Sequence, residues 1–126
     1  MLCPLRVILR VSALCSPNLH GVRVPVASAI LTFYNPVEYG IIDQHTFRSL
    51  YRNRRVLREK FGPSQFFERK KLVGFTVEDY LEYLRIIRKM AETISKETGI
   101  IFKARDVNKA LWQEDRENGG PLRLDP

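Results

Sequence analysis

Cysteine is scarce in this chain. Cys3 and Cys15 are the only two, too few to build a disulfide framework or a four-thiolate metal site by themselves. The expected compartment is a reducing cytoplasm, with association with the nucleoid if the source is prokaryotic. Long apolar runs are also missing. No stretch approaches the roughly 18 residues that a bilayer span needs. The apolar opening MLCPLRVILRVSAL is broken by Arg6 and Arg10 where a signal peptide needs a continuous core. No membrane partner is expected. Neither internal repeats nor long flexible linkers occur, which sets aside collagen-like and low-complexity chains. What is present is one domain's worth of chain: 126 residues, 44% hydrophobic and 28% charged, enough to bury a core.

The charge is uneven. Lys plus Arg number 21 against 14 Asp plus Glu, a net of +7. Residues 48–71 hold nine of those cations (Arg48, Arg52, Arg54, Arg55, Arg58, Lys60, Arg69, Lys70 and Lys71) against Glu59 and Glu68, so this segment carries the whole excess. A basic segment beside a near-neutral body is the electrostatic footprint expected for a polyanion. Tyr51, Phe61, Phe66 and Phe67 are interleaved with it, and aromatics beside cations stack on bases. The alternative is a solvated helix face whose aromatics belong to the core.

Periodicity predicts helices throughout. Residues 5–15 form the first, stopped by Ser16-Pro17-Asn18. A tight turn at His20-Gly21-Val22-Arg23 leads to Pro25, suited to the first turn of a second, buried helix that Asn35-Pro36 ends. Asp43 stands where an N-cap belongs, ahead of QHTFRSLYRN. A short helix follows near 55–60, then a loop over 62–75. The clearest helix runs from Val77 to about Thr98, capped by Thr76 with Asp79 three residues on and closed by Gly99. Val77, Tyr80, Leu81, Leu84, Ile87, Ala91 and Ile94 mark its buried face, and Tyr83 also reads as packing. A last helix is expected from Asp106, with Val107, Ala110 and Leu111 on one side and Trp112 as a core or interface residue. The fold class is all-α: a single domain over 1–118, with a hairpin at 8–34 and a loose tail at 119–126.

Two helices joined by a glycine turn aim backbone N–H groups at one point, which suits a phosphate. The run Leu19-His20-Gly21-Val22-Arg23-Val24-Pro25-Val26-Ala27-Ser28-Ala29-Ile30-Leu31 resembles the hairpin of the helix-hairpin-helix DNA glycosylases, the endonuclease III superfamily, where it reads LPGVGxKTAxxxL. Ile42-Asp43-Gln44-His45-Thr46-Phe47-Arg48 resembles the family's VDTHVxR motif, and Asp43 follows Pro25 by 18 residues, as in the family. The likeness covers residues 8–55, with 77–117 as candidates for the family's later helices.

The resemblance implies base-excision chemistry on double-stranded DNA. Asp43 would be the catalytic carboxylate, stabilising an oxocarbenium-like sugar and orienting water. Gly21, Val22, Arg23 and Val24 would hold a DNA phosphate. Arg48, Arg52, Arg54, Arg55 and Arg58 would supply electrostatic attraction to the backbone. Pro25 stands in place of the family's Schiff-base lysine, so the activity would be monofunctional, without strand cleavage. Arg23 replaces the second turn glycine and would be strained if a positive φ were needed. No cofactor is expected apart from a monovalent cation at the hairpin, and the cysteine cluster that binds iron–sulfur in some members is absent. The family's N-terminal helices have no counterpart here, so a truncated frame, a reduced relative or a homo-oligomer is expected. The alternatives are a non-catalytic DNA-binding module and a helical interaction or oligomerisation protein. Asp43 serves as a cap in every case. His45 is expected to be structural, His20 solvent-exposed, and Ser28 buried rather than nucleophilic.

Overall fold

The computed structural model describes residues 4–15, 23–68 and 74–119, and these are all-α. Helix α1 spans Pro4–Leu14, α2 Val24–Tyr34, α3 Gln44–Arg52, α4 Arg54–Phe61, α5 Val77–Thr98 and α6 Ala104–Asn118, with a single 3-10 turn at Gln65–Glu68. No helix among them is long and apolar enough to cross a membrane.

Local chemistry sets most of the boundaries. Pro25 lies in the first turn of α2, where a missing N–H leaves no hydrogen bond unmade. Asp43 and Thr46 form a reciprocal capping box at α3, and Thr76 and Asp79 form another at α5. Gly99 ends α5 at φ 73°, a left-handed conformation that costs glycine nothing. The start of α6 differs from expectation. Asp106 is not the first residue but the third helical one, and its carboxylate reaches back to the Lys103 N–H at 2.9 Å. The free N–H groups of Ala104 and Arg105 donate to the carbonyls of Val37 and Pro36, which ties the helix to the turn after α2.

Helix α5, about 33 Å long at 1.5 Å per residue, is the spine. It packs against α1, α2, α6 and the 3-10 turn. Its buried face is wider than the stripe read from spacing: Tyr83 and Ile86 join Tyr80, Leu84, Ile87 and Ala91, while Val77, Leu81 and Ile94 are only partly buried. The expected loop at 62–75 also contributes to the core. Phe66 and Phe67 are buried from the 3-10 turn, and Phe47 meets Phe66 edge-on at 5.1 Å and Phe75 at 6.0 Å. Burying such a side chain is worth about 1.5–3 kcal/mol. The aromatics of the basic segment therefore belong to the core side of the alternative, with Tyr51 and Phe61 partly buried against it. On the outer faces of α1 and α2, Leu5, Leu9, Phe33 and Tyr34 are exposed.

Candidate functional site

Past the turn that follows α2, four side chains from other elements hold residues 40–42. Tyr80 donates its hydroxyl to the Gly40 carbonyl at 3.0 Å, and Tyr83 donates to the Ile41 carbonyl at 2.7 Å. Burial pushes both phenols far above their ordinary pKa, so both remain protonated donors. Asn108, buried on α6, grips Ile41 from both sides: Oδ1 accepts from its N–H at 3.1 Å and Nδ2 donates to its carbonyl at 3.0 Å. Ser28 Oγ accepts from the Ile42 N–H at 3.0 Å. Gly40 lies close against α5 and α6. A Cβ there would lie 2.5 Å from Ile87 Cδ1 and 3.2 Å from Asn108 Cβ.

This scaffold delivers Asp43 to the start of α3. Asp43 Oδ1 accepts from the Thr46 N–H at 2.9 Å, and the Thr46 hydroxyl takes the Asp43 N–H at 3.0 Å. Oδ2 makes no hydrogen bond among the described residues. Asp43 lies on the wall of an open cleft of about 540 Å³ shared with Ile41, Arg105, Asn108, Lys109, Trp112 and Gln113. A carboxylate, two cations, two amides and an indole thus face one space, of a size usual for small-molecule sites. Comparison with known proteins finds no matching family model, no matching curated protein and no matching solved structure.

Beside the cleft lies an ionic cluster between α3 and α6. Asp115, only 2% exposed, receives His45 Nδ1 at 2.7 Å, Arg48 Nε at 3.2 Å and Arg52 Nη2 at 3.1 Å. Burial alone would raise the Asp115 carboxyl. The hydrogen bonds from His45, Arg48 and Arg52 outweigh it and hold the group below the usual carboxylate range. Arg52 also forks onto Glu114, at 3.1 and 2.9 Å from Oε1.

The expected row of five backbone-facing arginines is therefore divided. Arg48 and Arg52 are turned inward because the acidic pair of α6 lies opposite α3. Arg54 sits over the Tyr51 ring at 4.1 Å and bonds to the Tyr51 carbonyl. Arg58 pairs with Glu68. Arg55 is exposed and makes no ion pair among the described residues. Arg69, Lys70 and Lys71 lie outside the described residues.

Of the expected phosphate-binding turn, Gly21 and Val22 also lie outside the described residues, as do His20 and the carbonyls that would hold a cation. Arg23 is exposed at φ −111°, ψ 179°, ordinary extended backbone, so the strain expected of it does not arise. Val24 is the first residue of α2 and is buried. Ser28 Oγ donates to the Pro25 carbonyl while accepting from Ile42, which commits it to structure.

The residues that sequence reading passed over are Arg105, Asn108, Lys109, Gln113, Glu114 and Asp115. One signal was available. Asn108 and Asp115 share the helical face of Val107 and Leu111, and a polar side chain at an apolar-periodic position needs a buried partner.

Proposed function

We propose that this chain is a DNA-binding helix-hairpin-helix protein of the endonuclease III type, acting as a monofunctional N-glycosylase with Asp43 as its carboxylate. One observation carries the reading. Asp43, in the motif that resembles VDTHVxR, stands on the wall of a cleft with Arg105, Lys109 and Trp112, on a segment pinned by Tyr80, Tyr83, Asn108 and Ser28. Rigid placement is what electrostatic stabilisation of a cationic sugar requires.

In the reaction, the bond from C1′ to the base nitrogen breaks and its electron pair leaves with the base. Water oxygen bonds to C1′, and its proton passes to the free Asp43 oxygen and on to the released base. With proline at position 25, no amine is available there for a Schiff base, so the strand stays intact.

A second reading, a DNA-binding module without catalysis, is favoured by the engagement of Asp43 Oδ1 in the capping box. Duplex carrying a cationic pyrrolidine abasic nucleotide, a mimic of the oxocarbenium sugar, separates the two. Preference for the mimic over ordinary duplex, abolished in Asp43→Asn, is expected for a glycosylase. Equal binding of both duplexes by wild type and variant would leave only the module.

A further inference from the structure

Within the basic segment, Arg48 and Arg52 are held by the acids of α6, and Arg58 and Lys60 pair with Glu68 and Glu97; a separate exposed positive surface lies beside the cleft. Arg105, Lys109, Trp112 and Arg116 follow one another at intervals of four, three and four residues on α6, which puts them on one helical face over about 16 Å. Lys109, Trp112 and Arg116 are exposed, and Arg105 is half-buried. The inward face of the same helix carries Asn108, Leu111 and Asp115. Asp106 and exposed Glu117 border the outer stripe, and Glu117 accepts from Gln113 at 2.9 Å. Lys109 Nζ is 3.8 Å from Asp106, and Arg105 is bonded to the neutral Asn108 amide. Trp112 is held in place by its neighbours: His45 meets it edge-on at 5.5 Å, and the Arg116 guanidinium lies 5.1 Å from its centre. Three of the four residues flank Asp43, since Arg105, Lys109 and Trp112 line its cleft.

We propose that nucleic acid docks on this stripe of α6 rather than on Arg48 and Arg52, with Trp112 stacking on a base and Arg105, Lys109 and Arg116 following the phosphates. This rests on the DNA-binding reading above and adds the docking face and its stacking residue. Cations that track a backbone beside an aromatic that accepts any base are the two components of such surfaces. Phosphate contacts by exposed cations release counterions, whereas arginines already held by Asp115 and Glu114 have little left to give.

Trp112 is the sole tryptophan, so emission of the full chain excited beyond the tyrosine absorption band reports on it alone. The probe is a labelled duplex with a one-nucleotide bulge, titrated against fully paired duplex and free adenosine monophosphate. Anisotropy over a salt series is recorded in parallel. The bulged duplex is expected to quench Trp112. Trp112→Ala, with Trp112→Phe as the milder variant, weakens its binding by about tenfold or more. Lys109→Gln and Arg116→Gln each lower the slope of log affinity against log salt by about one, while Arg55→Gln leaves it unchanged.

Duplex binding with no Trp112 signal, and a slope lowered by Arg55→Gln instead, would overturn the docking face while leaving the DNA-binding reading intact. Equal quenching by the free nucleotide would overturn docking of a strand. Absence of duplex binding in anisotropy would overturn both.

Discussion

Asp115→Ala removes the carboxylate on which three α3 side chains converge. Asp115 is 2% exposed, whereas Arg48 and Arg52 keep 17% and 22% of their surface. Deleting one partner of a buried pair costs about 3–5 kcal/mol, because the other charge is left uncompensated. Here the arginines retain some water, and Arg52 keeps Glu114. The expected loss therefore lies at the lower end, about 3 kcal/mol, a large share of the ~5–15 kcal/mol typical of a domain. With a urea slope of about 1–3 kcal/mol per molar, the unfolding midpoint falls by roughly 1–3 M. Circular dichroism against urea at pH 7 measures this directly.

The pH dependence has a definite sign. The Asp115 carboxyl is depressed in the folded state. Its contribution is therefore complete above the unfolded carboxylate value of about 3.9 and is lost as pH falls through the lower folded value. The margin of wild type over Asp115→Asn, which keeps the shape without the charge, is expected to stay level from neutral pH down to about 5 and then shrink in stronger acid. A loss below about 1 kcal/mol for Asp115→Ala would refute the reasoning. It would mean that the cluster behaves as a solvated surface pair and that Arg48 and Arg52 are free for an outside partner.

Two further outcomes test the scaffold of the site. Asp43→Ala loses the α3 cap and about 1 kcal/mol of stability, while Asp43→Asn, an equally good cap, stays within a few tenths by the same urea titration. That difference keeps the mimic-binding experiment free of a folding artefact. Asn108→Leu strips the Ile41 N–H of its partner while Tyr83 still serves the Ile41 carbonyl, at a cost of about 2 kcal/mol. Hydrogen exchange is expected to accelerate at the Ile41 amide and not in the middle of α5.

Much of the fold was legible because it is written locally. The Asp43 cap of α3, the capping box and closing glycine of α5 and the proline in the first turn of α2 each act within about four residues, and short-range sterics and hydrogen bonding decide them. Of the cleft, the sequence singled out Asp43, from a segment that resembles a known motif, and Trp112 as a core or interface residue. The onset of α6 was misplaced by two residues because an acid at the third helical position and an acid at the cap look alike in sequence, although only the former reaches back to Lys103. The loop at 62–75 concealed Phe66 and Phe67; Phe66 packs against Phe47 and Tyr83, neither of them a chain neighbour.

By itself, then, the sequence determined the helical class, most helix boundaries and the position of Asp43 at the head of α3. Tertiary structure alone decided which charges are free. Arg48 and Arg52 meet Asp115 and Glu114 across more than 60 intervening residues. A cation written in the chain becomes a surface charge or a buried partner only when packing brings, or fails to bring, an acid opposite it. For the same reason the cleft belongs to the packing of α6 against the segment before α3: the Arg105–Lys109–Trp112 stripe acquires its neighbour Asp43 through that packing, with Asn108 gripping Ile41.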